Sequence, residues 1–286
     1  MTTRPQPASH TVDVNGLRLH YLDWGNPGAP TIVCVHGYTS SAQAFNALAR
    51  RFNSLYRFVA PDVRGHGESA WSTTGAYQYG DQVADLAAFV DKLGLPQFSL
   101  IGTSMGGLIA MAYAGAHPDR LARLVINDIG PDTEVGSQRI TQMVGSRPDE
   151  FQALDEAMAY RRQMSPIVAG RSLDDQRELA LGVLRPRPDG RWVWKMDPEY
   201  IRQRVQVGPP PRPPLWPTLQ RVSCPTLVVW GSGSDVLSQA QARRMVETLP
   251  NGELVTVPGV GHAPTLVEPA VVLALERFLG SPTGHA

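Results

Sequence analysis

Cysteine is scarce: 2 of 286 residues, Cys34 and Cys224, each beside an apolar run, TIVCV and CPTLVVW. So few cysteines exclude a disulfide-built scaffold, and without clustered histidine or further cysteine they make no zinc signature. Two inert thiols packed in a core, no metal and no other cofactor are therefore expected. Lysine occurs only at Lys92 and Lys195, which leaves arginine to carry nearly all of the positive charge. Neither sign is in excess, 26 basic residues standing against 26 acidic ones, so nothing marks a nucleic-acid partner or an anionic membrane surface. No stretch approaches the roughly 18 to 20 apolar residues of a spanning helix, and the opening MTTRPQPASH has no apolar core behind its single arginine. A cytoplasmic protein acting on a small molecule is the expectation, with no oligomeric state implied.

What is present is alternation. TVDVNGLRLHYLDW alternates about Asn15-Gly16, the turn pair of a tight antiparallel hairpin. The apolar run TIVCV follows, then a helical pattern with Ala42, Phe45, Leu48 and Phe52 on one face, then the strand-like YRFVAPD. Val83, Leu86, Ala87, Val90 and Leu93 recur at helical spacing before Gly94 and Pro96. FSLIG, the Gly/Ala-rich MGGLIAMAYAGAHP and LARLVIND read as strand, helix and strand, and CPTLVVWG, a helix near Gln239, ELVTV and a helix from Pro269 resume the plan. Strands joined through helices imply a mostly parallel sheet covered on both faces, an α/β fold.

Between Pro131 and Gln220 the alternation stops, and stretches such as EFQALDEAMAYRRQM and DDQRELALGVL predict a helical insertion in place of strands. It ends in GPPPRPPLWP, read as an extended linker and not as a ligand for a proline-binding module. The expected organisation is a tail over 1–10, a first core part over 11–130, a helical cap with its linker over 131–220, a second core part over 221–280 and a tail over 281–286.

Gly102-Thr103-Ser104-Met105-Gly106 fits G-x-S-x-G directly after a strand and directly before a helix. A side chain at Gly102 or Gly106 would collide with backbone there, and the turn would lift Ser104 to the carboxyl edge of the sheet. A serine hydroxyl needs a base. Of seven histidines, His10 and His285 fall in the expected tails, His20 in the hairpin and His117 before a proline. His262, in the Gly-rich VPGVGHAPTLVEP after the last strand, is the candidate base. His66, in DVRGHGES, reads as a structural loop residue. Asp235, in GSGSDVL, is the candidate acid that fixes the tautomer of the base, and Asp128, in VINDIGP, is its rival. The order Ser104, Asp235, His262 is one of the known orders of such triads. His36-Gly37-Tyr38 after TIVCV can offer backbone N–H to a developing oxyanion; Tyr38 and Met105 are the two expected donors, while the His36 ring braces the loop.

HGYTSS, DVRGHGES, GTSMGG, GSGSDVL and GVGHAP, in this order between about Val12 and Leu279, resemble the corresponding segments of the α/β-hydrolase superfamily. The chain is similar to its capped esterase, lactonase, carbon–carbon hydrolase and perhydrolase-like branches. The resemblance implies that the cap roofs the site and selects substrates, so that Tyr38, Trp192 and Trp194 are candidate substrate contacts, with Trp216, Met143, Met158 and Met164 further cap residues of the same apolar kind. Dehalogenases and most epoxide hydrolases of this fold carry Asp where this chain has Ser104, which disfavours those activities. Carboxylic ester or lactone hydrolysis through an acyl-enzyme is the leading expectation. Carbon–carbon bond hydrolysis of a ring-cleavage product, and ligand reception without turnover, are the alternatives.

Overall fold

Asn15 and Gly16 both take positive φ, 49° and 76°, and this turn folds β1 (Ala8–Val14) onto β2 (Leu17–Asp23) in antiparallel register. The computed structural model describes residues 6–132 and 136–280. Ala8, Ser9 and His10 already pair with Asp23, Leu22 and Tyr21, so the expected tail over 1–10 is too long: its end is sheet. The tail over 281–286, with His285, lies outside the described residues.

The chain continues through β3 (Thr31–Val35), α1 (Asn46–Phe52), β4 (Arg57–Pro61), α2 (Tyr79–Lys92), β5 (Phe98–Thr103), α3 (Met105–Ala116) and β6 (Leu121–Asn127). After β6 it leaves the sheet for an insert made of α4 (Gly136–Gly145), β7 (Glu150–Phe151), α5 (Leu154–Met164), α6 (Pro166–Ala169), α7 (Leu173–Val183), β8 (Leu184–Pro186), β9 (Trp192–Trp194), α8 (Pro198–Gln206) and α9 (Leu215–Leu219). It returns as β10 (Thr226–Gly231), α10 (Gln239–Thr248), β11 (Gly252–Val257) and α11 (Pro269–Leu279). The eight core strands lie in the order β1-β2-β4-β3-β5-β6-β10-β11, antiparallel only through the first hairpin and its junction with β4.

The central strands are apolar throughout because both faces are covered. Val33, Val35, Leu100, Leu124, Ile126, Val228 and Trp230 pack with α2, α3 and α10. Their neighbours Ile32, Cys34, Ile101, Val125, Leu227 and Val229 pack with α1 and α11. Period-two alternation thus divides one hydrophobic run between two cores. Cys34 and Cys224 are buried and free, as expected.

The insert is not purely helical. β7, β9 and β8 form a separate antiparallel sheet, closed by the turn at Asp189-Gly190, where Gly190 takes φ 85°. The strands are two or three residues long, below the length at which alternation is visible, although a turn dipeptide beside Trp-Val-Trp is a hairpin cue. Phe151, Leu154, Ala157, Met158, Ala180, Val183 and Leu184 give the insert a core of its own. Its proline-rich return run is held by Arg212, whose Nη1 donates to the carbonyls of Gly130, Pro131 and Asp132 at 3.0, 3.3 and 2.9 Å.

The β5–α3 turn is as tight as the glycine pattern predicts. A Cβ on Gly106 would stand 2.0 Å from the Val35 carbonyl oxygen, and one on Gly102 would stand 2.3 Å from the Gly106 oxygen. Backbone on both sides leaves no soft atom to yield. Gly106→Ala is therefore expected to destabilise the protein by at least about 2 kcal/mol, read as a lower urea midpoint; an unchanged midpoint would show that β3 and α3 can part without loss.

Candidate active site

Ser104 stands between β5 and α3 with φ 53° and ψ −118°, a conformation that costs a non-glycine residue about 1–3 kcal/mol. The turn lifts its side chain clear of the sheet. Strand register decides what stands beside it. Gly102 pairs with Ile126 and Thr103 with Asn127, so Ser104 and Asp128 leave adjacent parallel strands at the same level. The Ser104 N–H donates to the Asn127 carbonyl at 3.0 Å. Asp128 also takes positive φ, 55°, and its N–H is held by the Val229 carbonyl at 2.9 Å on the next strand.

His262, five residues past the end of β11, completes a chain of contacts. Its Nε2 lies 2.8 Å from Ser104 Oγ and its Nδ1 lies 2.8 Å from Asp128 Oδ2. A carboxylate only accepts, so Nδ1 carries the proton and donates, leaving Nε2 to accept from the serine hydroxyl. Asp128 is fully buried, and a buried carboxylate must be supplied with donors. Besides His262, the Gly231 N–H donates to Oδ1 at 3.0 Å and the Ser234 hydroxyl donates to Oδ2 at 2.7 Å.

This corrects the expected acid. Asp235 is not the partner of His262; the structure sets its rival Asp128 there. Asp235 lies four residues beyond the last residue of β10, far enough along the loop for its carboxylate to reach solvent, and its side chain is 43% exposed. There it accepts both the Nε and Nη2 of Arg139 on α4. The Arg139 guanidinium holds the Asp235 carboxyl below its usual range.

The loop after β3 closes the other side of Ser104. A Cβ on Gly37 would touch Ser104 Cβ at 3.4 Å, which puts the Gly37-Tyr38 backbone against the serine. Among the described residues, neither the Tyr38 nor the Met105 main-chain N–H donates to a protein acceptor. His36 is buried and braces this loop as expected: its Nδ1 donates to the Gly37 carbonyl at 2.8 Å and its Nε2 accepts from the Val63 N–H at 3.0 Å. His66 supports it from below, with Nε2 2.5 Å from the Tyr38 carbonyl. Burial lowers the pKa of both rings, that of His66 to about 4.

Ser104, His262 and Tyr38 open onto a cavity of about 280 Å³ whose farther wall comes from the insert. Tyr38 is no surface residue. It is 6% exposed, with Tyr200 of α8 edge-on at 5.1 Å and the Arg204 guanidinium 4.6 Å above its ring. Trp194 lines the cavity, as do Met143 and Met164. Trp192 does not, which corrects that expectation. It sits at the end of β9 beside the Asp189-Gly190 turn and packs on the insert's own core, whereas the chain after Trp194 heads back to the main sheet, the Asp197 N–H reaching the Gly65 carbonyl at 2.9 Å. Met158 belongs to the insert core, and Trp216 donates its Nε1–H to Asp132 at 2.8 Å, away from the cavity.

Sequence reading singled out none of the arginines of this wall, Arg139, Arg147, Arg161 and Arg171. One signal was available. Arg161 has Ala157, Met158, Met164 and Ser165 at i±3 and i±4 on its helix, with no acid to pair with. Among the described residues no group of three or more His, Cys, Asp or Glu side chains could hold a metal, and no helix is long and apolar enough to cross a membrane.

The model of the α/β hydrolase fold family matches residues 30–269, and the chain belongs to that family. Its relatives include the 3-hydroxybutyrate-oligomer hydrolase of Cupriavidus necator, 32% identical over 92% of this chain and 94% of that protein. Another is the 2-hydroxy-6-oxononadienedioate/2-hydroxy-6-oxononatrienedioate hydrolase of Klebsiella pneumoniae, 26% identical over 92% of this chain and 93% of that protein. The crystal structure of an α/β hydrolase from Novosphingobium aromaticivorans superposes with a TM-score of 0.85 at 32% identity, covering 97% of this chain and 99% of that one.

The burial of the loop histidines has a measurable consequence. A free imidazole, with a pKa near 6.5, is mostly protonated at pH 5. In a ¹⁵N-resolved titration His66 is expected to stay neutral there, and His36 to protonate at lower pH than a free imidazole. Because the unfolded chain binds these protons first, their contribution to stability is lost as pH falls from about 6.5 toward the folded value of about 4 for His66.

Proposed function

We propose that this protein is a serine hydrolase that cleaves a small-molecule carboxylic ester through an acyl-enzyme, with Ser104 as nucleophile, His262 as base and Asp128 as the acid that orients it. The observation that carries this reading is the unbroken relay from Ser104 Oγ through His262 to Asp128, with both links at 2.8 Å, opening onto the cavity between the core and the insert.

As Ser104 Oγ bonds to the ester carbonyl carbon, its proton passes to His262 Nε2, and the buried Asp128 carboxylate stabilises the imidazolium through Nδ1–H. The carbonyl oxygen gains negative charge beside the Tyr38 and Met105 amides, which act as the oxyanion donors. His262 then gives the proton to the leaving alkoxide, and the alcohol departs. A water molecule, deprotonated by His262, attacks the acyl group, and Ser104 recovers its proton as the acid leaves. Every proton in the cycle is exchanged through Nε2. The reading is supported by the 32% identical relative, whose name specifies a hydroxybutyrate oligomer.

Carbon–carbon hydrolysis is the second reading, and the Klebsiella relative named for a dienedioate favours keeping it. The same relay would serve, with a carbon leaving group protonated in place of the alkoxide.

A panel of p-nitrophenyl esters, lactones and a ring-cleavage diketone, followed to multiple turnovers, tests both. Ser104→Ala is expected to abolish turnover while remaining folded. Asp128→Asn is expected to lower kcat by about 10⁴-fold, whereas Asp235→Asn, which breaks an exposed ion pair, is expected to change it by no more than about fivefold. The reverse ranking of the two aspartates would overturn the relay. Turnover of the diketone alone would select the carbon–carbon reading, and stoichiometric binding without turnover would make the protein a receptor.

A further inference from the structure

Among the described residues, four arginines and no aspartate or glutamate line the cavity, in a chain whose basic and acidic residues are equal in number. Arg139 is matched by Asp235. The other three, Arg147, Arg161 and Arg171, all come from the insert and have no ion-pair partner among the described residues. The Nε atoms of Arg161 and Arg171 are shut off from solvent without a hydrogen-bond acceptor. Arg147 reaches only Met196 Sδ, at 3.9 Å, and lies with its guanidinium 4.5 Å over the Trp194 ring.

Arg171 senses Asp175 and Glu268 without touching either, and Arg147 senses Asp149. For Arg161 burial is the cause of the lowered pKa, and among the described residues it makes no ion pair. Burial brings Arg147 and Arg161 down to about 10, so both remain cations near neutral pH. A guanidinium removed from water without a counter-charge is unfavourable unless an anion joins it, and its planar fork matches a carboxylate in two parallel hydrogen bonds. Ile140, Met143, Val144, Ile167 and Leu179 give the same cavity an apolar stretch, which suits an alkyl chain.

We infer that Arg147, Arg161 and Arg171 form an anion subsite for a free carboxylate of the substrate, so that the preferred ester is one whose chain ends in an acid. The inference rests on the ester hydrolysis proposed above and adds the charge and shape of the substrate. Arg161 is its central member, and Arg147 is oriented by stacking on Trp194.

Two esters of equal chain length test it: neutral p-nitrophenyl hexanoate and mono-p-nitrophenyl adipate, whose far end is a carboxylate. With spontaneous hydrolysis subtracted, wild type is expected to show kcat/KM at least about tenfold higher on the adipate, the scale of one charge-assisted pair. Arg161→Gln is expected to remove most of this preference through KM on the adipate, bringing the two kcat/KM values to within about threefold of each other. Arg161→Lys is expected to restore it in part, having the charge without the fork. Equal rates of wild type on the two esters, or an equal fall on both in Arg161→Gln, would overturn the subsite. Calorimetric titration of folded Ser104→Ala with hexanoate and with hexan-1-ol reads the subsite without chemistry, and tighter binding of the acid that disappears in Ser104→Ala/Arg161→Gln is expected. Acid-selective binding with no turnover by wild type would overturn the ester reading and leave the subsite standing, while turnover without acid selectivity would do the opposite.

Discussion

The site depends on how closely the turn at Ser104 approaches the end of β3. Two glycines let α3 begin against the carbonyls of Val35 and His36, and that single approach fixes several things together. It holds Ser104 in a backbone conformation a free chain would avoid, it starts the first turn of α3 directly after the serine, and it sets the Gly37-Tyr38 loop beside it. The strain at one residue is sustained because the sheet on one side and the buried helix on the other leave it no relaxed alternative.

Much of this was legible in sequence, for a local reason. The strand-turn-helix context of Ser104, the Gly-rich loop of His262 and the alternation of the core are written in contiguous residues. The choice between Asp128 and Asp235 was not, because it turns on the register of β5 against β6 and on loop length after β10. Both aspartates follow core strands, and only the observed pairing of Thr103 with Asn127 shows that Asp128 leaves the sheet level with Ser104. Likewise Trp192 and Trp194 are alike on paper, and they part company because one lies at the turn end of a three-residue strand and the other at the end that returns to the core. The little sheet of the insert escaped notice because strands of two or three residues carry no readable period.

Asp235, displaced from the relay, joins two parts of the molecule. Its pair with Arg139 links the loop after β10 to α4, the first helix of the insert. In the proposed function, chemistry and recognition are divided between units that touch at the cavity. The core contributes the relay and the loop beside the serine, and the insert contributes the arginine and apolar wall. Exposed as it is, the pair adds little to stability, and its position makes it a point of contact between these two units.

The anchoring of the proline-rich run has a topological consequence. Arg212 gathers the carbonyls of Gly130, Pro131 and Asp132, so the chain returns from its excursion close to where it departed. For the sheet, the long detour between β6 and β10 is equivalent to a short connection, since the two flanking strands pair directly. An excursion closed at its neck in this way can vary in length and content without altering the separation of the strands it joins. The arrangement therefore makes the roof of the cavity the exchangeable portion of the chain, and the sheet beneath it the portion whose geometry has to be inherited whole.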